Sequence, residues 1–135
     1  AEIERRAGRS IADIFAQDGE AAFRRSEARM CRFYAGQRGL VIATGGGALV
    51  DAANRAVMLA SGFVVCLDAS ADTIRARLAG DAGRPLLSGD WEALLARRQP
   101  AYAAIPYHVN TDGQTPEAAA EEVLVLWKQW LTESA

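Results

Sequence analysis

Residues 40–47 read Leu-Val-Ile-Ala-Thr-Gly-Gly-Gly, a short apolar run followed by threonine and three consecutive glycines. A short apolar run bounded by glycine is typical of a strand buried in a parallel sheet. Glycines let a backbone approach a ligand closely and present its N–H groups as donors. Ligands bind such sheets at the carboxyl ends of the strands. The stretch therefore predicts a strand at 40–43 with a ligand site at its end, and a tight strand-to-helix turn is the alternative interpretation.

On either side of this stretch, hydrophobic periodicity switches repeatedly between the helical and the strand spacing. Strands alternating with helices predict a parallel sheet covered on both faces, which is an α/β fold. Pro100 is expected to end the helix before it. Helices are predicted at residues 1–7, 10–19, 20–37, 51–61, 71–79, 91–98 and 115–131, strands at 63–67 and 107–110, and a glycine-rich loop at 80–90.

The bulk properties exclude several classes of protein. The chain has 135 residues and a formal charge of −2, so it fits one domain and carries no basic excess for nucleic acid or an anionic membrane. Its two cysteines, Cys31 and Cys66, form neither a disulfide framework nor a metal-ligand set. No signal peptide and no apolar run of membrane-spanning length is present, which predicts a cytoplasmic protein.

Arginine supplies most of the residues that could carry chemistry. Of the 15 basic residues 14 are arginine, and the single lysine is Lys128. Arg24 and Glu27 lie three apart on a predicted helix and can contact each other, either in a site or as an ordinary surface pair. Arg84 lies in the glycine-rich loop at 80–90, where closure over a nucleotide would place its charge on a phosphate.

The ordered set of motifs resembles the shikimate kinase family, part of the nucleoside-monophosphate-kinase-like group of P-loop folds. No single stretch is specific, but together they span almost the whole chain in one order. The matching stretches are 2–4 (EIE), 8–15 (GRSIADIF), 19–20 (GE), 23–27 (FRRSE), 43–47 (ATGGG), 84–87 (RPLL) and 98–102 (RQPAY).

The resemblance implies an enzyme that transfers the γ-phosphoryl group of ATP to the 3-hydroxyl of shikimate, with Mg²⁺, in aromatic amino-acid biosynthesis. By match, Arg24 and Arg98 would hold the shikimate carboxylate, for which two guanidinium groups are chemically apt. Glu27 would orient Arg24. The three glycines Gly45, Gly46 and Gly47 would pack against the ring of the substrate and offer backbone donors.

The resemblance also assigns an ATP side. Arg84 would be the catalytic lid arginine that reaches the ATP phosphates, and Arg77 and Pro116 would flank the adenine. It implies no metal ligand within these residues. The expected organisation is a single kinase domain at 1–135 with a substrate-binding region at about 1–60 and a lid at about 80–90, as a monomer or fused to another domain of the same pathway.

One expected part of a P-loop kinase is absent from these residues. The sequence contains no G-x-x-x-x-G-K-[ST], whose backbone and lysine would hold the phosphates, and Lys128 lies in the last predicted helix. The acidic proton acceptor of the family would fall immediately before Ala1. We therefore expect a three-layer α/β/α sheet of P-loop kinase type without its first βαβ unit, inactive by itself. Truncation or an omitted N-terminal segment is favoured over a degenerate homologue.

Two other functions remain open at this point. A non-catalytic, regulatory homologue could bind shikimate without ATP chemistry, and sequence preceding Ala1 would discriminate that case. A related kinase could act on another small polyol or acid such as gluconate. The glycine triplet and the pair Arg24 and Arg98 speak against the second alternative, and a substrate panel would decide.

Overall fold

The structure, a computed structural model, describes residues 1–79 and 89–135. The described residues form two compact units, Ala1–Gly62 and Phe63–Ala135, in a mixed α/β arrangement with a two-stranded parallel sheet. Most of the loop predicted at 80–90, including Arg84, lies outside these residues. The elements are α1 (Glu2–Ala7), α2 (Ile11–Asp18), α3 (Glu20–Ala35), a 3-10 turn (Ala48–Val50), α4 (Ala52–Ser61), β1 (Val65–Asp68), α5 (Ala71–Leu78), α6 (Trp91–Ala103), β2 (Tyr107–Asn110) and α7 (Pro116–Glu133).

The first unit is helical and is organised around α3. The predicted helices of this unit are present, with ends that differ from the prediction by at most two residues. Ser10 caps α2 by accepting from the Asp13 backbone N–H at 3.1 Å, and Gly19 ends that helix, as predicted. Helices α1, α2 and α4 and the 3-10 turn all pack against α3. The core residues of this unit are Ile14, Phe23, Cys31, Ala48, Leu49 and Met58.

The second unit contains the sheet. Strands β1 and β2 run parallel, with Val65 beside Tyr107 and Asp68 beside Asn110. Helix α7, capped by Thr115, packs against β2. An aromatic cluster joins the strand region to α7, with the Phe63 ring centroid 5.1 Å from that of Tyr107 and 6.0 Å from that of Trp130. Both predicted strands of this unit are therefore confirmed, with shifts of one or two residues at the ends of β1.

The strand predicted at 40–43 is wrong. These residues have no strand assignment, and Val41 is fully exposed while Leu40 is 51% exposed. A strand exists only through hydrogen bonds to a neighbour. Within the described part of the chain the sheet consists of β1 and β2, and residues 40–43 pair with neither strand.

The predicted break at Pro100 is also wrong. Helix α6 continues through Pro100 to Ala103. The proline ring fixes φ near the helical value, so the residue costs one backbone hydrogen bond to the preceding turn without forcing the chain out of the helix. Arg98, predicted to end the helix, consequently lies inside α6.

Both cysteines are free, as predicted. Cys31 is buried, whereas Cys66 is only half-buried. Burial raises the pKa of Cys31, and burial together with a hydrogen bond to Asp68 raises the pKa of Cys66 to about 12. Both thiols therefore stay protonated and unreactive at neutral pH. Among the described helices, none combines the length and hydrophobicity that a membrane crossing requires.

Candidate functional site

Arg24 occupies the centre of a polar cluster in the first unit. Its Nη1 donates to Glu27 Oε1 at 2.5 Å, and its Nη2 donates to Glu20 Oε1 at 3.3 Å. The Glu27 side chain is 9% exposed, whereas that of Arg24 is 31% exposed. The predicted contact between Arg24 and Glu27 is thus present, and the acid is too buried for an ordinary surface pair.

The guanidinium of Arg24 is held in place and kept charged. Burial acts to lower its pKa, but hydrogen bonds and charge from Glu27 and Glu20 outweigh it, so the pKa lies above the ordinary value. The guanidinium also lies over the Phe23 ring, 5.3 Å from Cζ to the centroid. A positioned, partly exposed guanidinium is a recognition group for a carboxylate or phosphate.

The glycine triplet meets Arg24 at Gly47. A methyl group at Gly47 would lie 2.5 Å from Arg24 Nη1 and 3.1 Å from Cζ, so only glycine leaves room for the guanidinium. Gly45 has a φ of 73°, a left-handed conformation that disfavours other residues. The structure therefore brings together Arg24, Glu27 and Gly47.

Two residues that the sequence analysis did not single out hold the turn after the triplet. Asn54 Nδ2 donates to the Ala48 carbonyl at 3.0 Å, and Arg55 Nη1 donates to the Leu49 and Val50 carbonyls at 2.9 and 3.2 Å. Asn54 is 5% exposed. The sequence offers only an asparagine three residues after Asp51, and this is also the spacing of an ordinary helix cap.

In the second unit, Arg77 contacts the loop that follows β2. Its Nη1 donates to Thr111 Oγ1 and its Nη2 to the Thr111 carbonyl, both at 3.1 Å. The Thr111 N–H donates to the Asp68 carbonyl at 2.8 Å, which ties this loop to the end of β1. Pro116 opens α7 from the same loop. Arg77 thus lies at the carboxyl ends of both strands, where α/β sheets bind ligands.

The remaining predicted site residues are Arg98 and Arg84. Arg98 is half-buried in α6 of the second unit, and Arg84 lies outside the described residues. That Arg98 and Arg24 act on one carboxylate stays a prediction.

Cys66, Asp68 and His108 form a polar group on one face of the sheet. Their donor atoms lie within 4.8 Å of one another. Cys66 Sγ lies 3.3 Å from Asp68 Oδ1, and the His108 nitrogens lie 2.8 Å from Asp68 Oδ2 and 2.7 Å from the Ile105 carbonyl. Each of the atoms that could bind a metal already has a hydrogen-bond partner. These hydrogen bonds explain why the three side chains lie together, and we interpret the group as structural.

The cluster around Arg24 makes a prediction about stability. Replacing Glu27 with glutamine should lower the free energy of unfolding by about 1–3 kcal/mol, because the amide oxygen can still accept from Arg24 but the charge that strengthens this buried bond is lost. Glu20→Gln is the matched control, since Glu20 is 58% exposed; we expect a loss below about 1 kcal/mol. Urea unfolding measures both, and equal losses would show that the burial of Glu27 adds nothing.

Comparison with known proteins gives one consistent result. The sequence model for shikimate kinase matches residues 1–128. The shikimate kinase of Persephonella marina is 36% identical over 126 residues, covering 91% of this chain and 77% of the relative. The shikimate kinase of Symbiobacterium thermophilum is 42% identical over 130 residues, covering 90% of this chain and 75% of the relative.

Solved structures agree with the sequence comparison. The shikimate kinase of Acinetobacter baumannii in complex with shikimate superposes with a TM-score of 0.84 at 32% identity, covering 95% of this chain and 75% of that one. The shikimate kinase of Bacteroides thetaiotaomicron gives a TM-score of 0.80 at 31% identity, covering 98% of this chain and 80% of that one.

Proposed function

The chain belongs to the shikimate kinase family of small-molecule kinases, and on that premise we propose that the protein phosphorylates the 3-hydroxyl of shikimate from ATP. The product is shikimate 3-phosphate, an intermediate of aromatic amino-acid biosynthesis. The finer architecture that we propose is the three-layer P-loop kinase fold, with residues 1–135 as part of one kinase domain in a cytoplasmic protein.

The observation that supports this proposal is the position of Arg24. Its guanidinium is buried on one side by Gly47 and Glu27, and 31% of the side chain stays exposed. A shikimate carboxylate would accept hydrogen bonds from this exposed part. We propose that Arg98 supplies the second guanidinium and that the backbone of residues 45–47 contacts the ring.

The ATP side of the proposal is carried by the second unit and by Arg84. Arg77, fixed to Thr111 by two hydrogen bonds of 3.1 Å, and Pro116 would lie on the two sides of the adenine. Arg84 would bring positive charge to the transferring phosphoryl group. Shikimate and ATP are the proposed partners, and the protein acts as a monomer or fused to another domain of its pathway.

The proposed reaction needs Mg²⁺, which neutralises charge on the ATP phosphates when bound. Among the described residues, the one group of converging ligand atoms contains a thiol and an imidazole, Cys66 and His108. Mg²⁺ prefers an octahedral set of oxygen ligands, so this group does not fit it. No Mg²⁺ ligand is therefore assigned among residues 1–79 and 89–135.

The test is a turnover assay on the protein expressed from the complete open reading frame that encodes this chain. ADP release should depend on shikimate, ATP and Mg²⁺ together. The 135-residue chain, whose sequence contains no G-x-x-x-x-G-K-[ST], should show no turnover because that loop is needed to hold the phosphates.

Three outcomes would count against parts of this proposal. A full-length protein that turns over gluconate or another polyol, and not shikimate, would refute the substrate. Shikimate binding without turnover would indicate a regulatory binder. Turnover by the 135-residue chain would refute the claim that the phosphate loop is indispensable.

A further inference from the structure

The turn Ala48–Val50 directly follows the glycine triplet, and side chains of α4 donate hydrogen bonds to its backbone carbonyls. Ala48 and Leu49 are buried, at 4% and 6% exposed. Buried carbonyl groups need hydrogen-bond partners, and a single 3-10 turn supplies few of its own. The Val50 N–H donates to the Gly47 carbonyl at 3.3 Å.

Side chains from the first turn of α4 supply the missing partners. Asn54 binds the Ala48 carbonyl and Arg55 binds the next two, so three consecutive carbonyls are each satisfied by a side chain. Asn54 is itself fixed, because its backbone N–H donates to Asp51 Oδ1 at 2.9 Å. Across residues 1–79 and 89–135, Arg55 forms no ion pair. Its guanidinium donates instead to the two neutral carbonyls.

The position of Gly47 follows from these bonds. Gly47 is the residue that precedes the turn, and α3 contacts both the turn and α4. The Gly47 Cα therefore cannot move away from α4 without breaking bonds at Ala48–Val50. A methyl group there would come within 2.5 Å of Arg24 Nη1, so a small shift of this backbone toward Arg24 displaces the guanidinium.

We propose that Asn54 and Arg55 are positioning residues that hold Gly47 against Arg24 and so set the geometry of shikimate recognition. This inference rests on the proposed function. It assigns no direct substrate contact to either residue. Their effect passes through the turn and reaches the substrate as the orientation of Arg24 and of the triplet backbone.

Asn54→Asp tests this inference with almost no change in shape. The substitution replaces the donating amide group with a carboxylate that repels the Ala48 carbonyl. In the protein from the complete open reading frame, the KM for shikimate should rise by roughly 10-fold, as for the loss of one hydrogen bond. The KM for ATP should stay within about twofold. Arg55→Lys should act in the same direction, because the lysine ammonium ends one bond short of the position from which Arg55 Nη1 donates to both carbonyls.

Ser61→Ala is the matched control from the other end of α4. The Ser61 hydroxyl donates to the Met58 carbonyl at 3.1 Å, so its removal also costs a side chain–carbonyl bond on the same helix. We expect both KM values to stay unchanged. A second readout needs no turnover: hydrogen exchange of the backbone at 45–50 should accelerate in Asn54→Asp and not in Ser61→Ala.

The outcomes separate this inference from the function on which it rests. A wild-type protein without shikimate turnover refutes the proposed function, whatever the variants do. An active wild type whose Asn54→Asp and Arg55→Lys variants keep the KM for shikimate and the exchange at 45–50 refutes the positioning role. Equal rises in the KM for shikimate and for ATP would also refute it, because they would indicate general loosening.

Discussion

Replacement of Arg24 by alanine is expected to weaken shikimate binding by roughly 30-fold to a few thousand-fold, as for truncating one partner of a desolvated charge pair. The substrate carboxylate loses its charged donor, and it is also repelled by the Glu27 carboxylate, which is 9% exposed and no longer paired through the 2.5 Å bond from Arg24 Nη1. Binding of ATP should change little, because the proposed adenine contacts are Arg77 and Pro116 and do not include Arg24.

The measurement is the KM for each substrate in steady-state turnover, supported by calorimetric titration of shikimate. Arg25→Ala is the matched control, since Arg25 is the next residue of α3 and is exposed. We expect it to leave both KM values close to wild type. A selective loss of ATP affinity in Arg24→Ala would contradict the role assigned to Arg24. Equal losses of shikimate affinity in Arg24→Ala and Arg25→Ala would show that only the positive charge of this region matters, and not the position of Arg24.

Replacement of Gly47 by alanine is expected to cost about 100-fold in kcat/KM for shikimate, the penalty typical of a misplacement near 1 Å. The new methyl group would lie 2.5 Å from Arg24 Nη1 and 3.0 Å from Nη2. These atoms end a flexible side chain, so the guanidinium gives way and the backbone does not. Folding should therefore survive, with the loss confined to recognition.

Two controls isolate this steric mechanism. Gly62→Ala adds a methyl group in the same unit with no atom within 4 Å, so its kinetics should match wild type. In the double variant with Arg24→Ala, the Gly47 substitution should add little, because the group that it displaces is gone. Additive losses in the double variant would show that Gly47 acts independently of Arg24.

Local signals in the sequence predicted most of the helices, because the start and end of a helix depend on residues that are close in sequence. Ser10 and Thr115 each accept a backbone N–H three residues on, as their positions before the helices predict. The contact between Arg24 and Glu27 is predictable for the same reason, since residues three apart share a helix face.

Features that depend on distant partners could not be predicted in this way. The strand predicted at 40–43 fails because apolar sequence indicates a strand only if a neighbour pairs with it. The close approach of Gly47 to Arg24 joins residues 23 positions apart, a separation that no helical or strand period encodes. The roles of Asn54 and Arg55 could not be predicted for a related reason. A polar residue early in a helix can belong to the helix cap or bind the turn before the helix, and its position in the sequence is the same in both cases.

The exposed segment at 40–43 has a practical consequence for handling this chain. Val41 is fully exposed, and Leu40 and Ile42 are 51% and 39% exposed. Within residues 1–79 and 89–135, the main chain of this segment forms no backbone–backbone hydrogen bond. Free main-chain groups beside bare aliphatic side chains are a template for pairing between copies. Precipitation during overproduction would start there, and a charged substitution at Val41 is the first remedy for a soluble preparation.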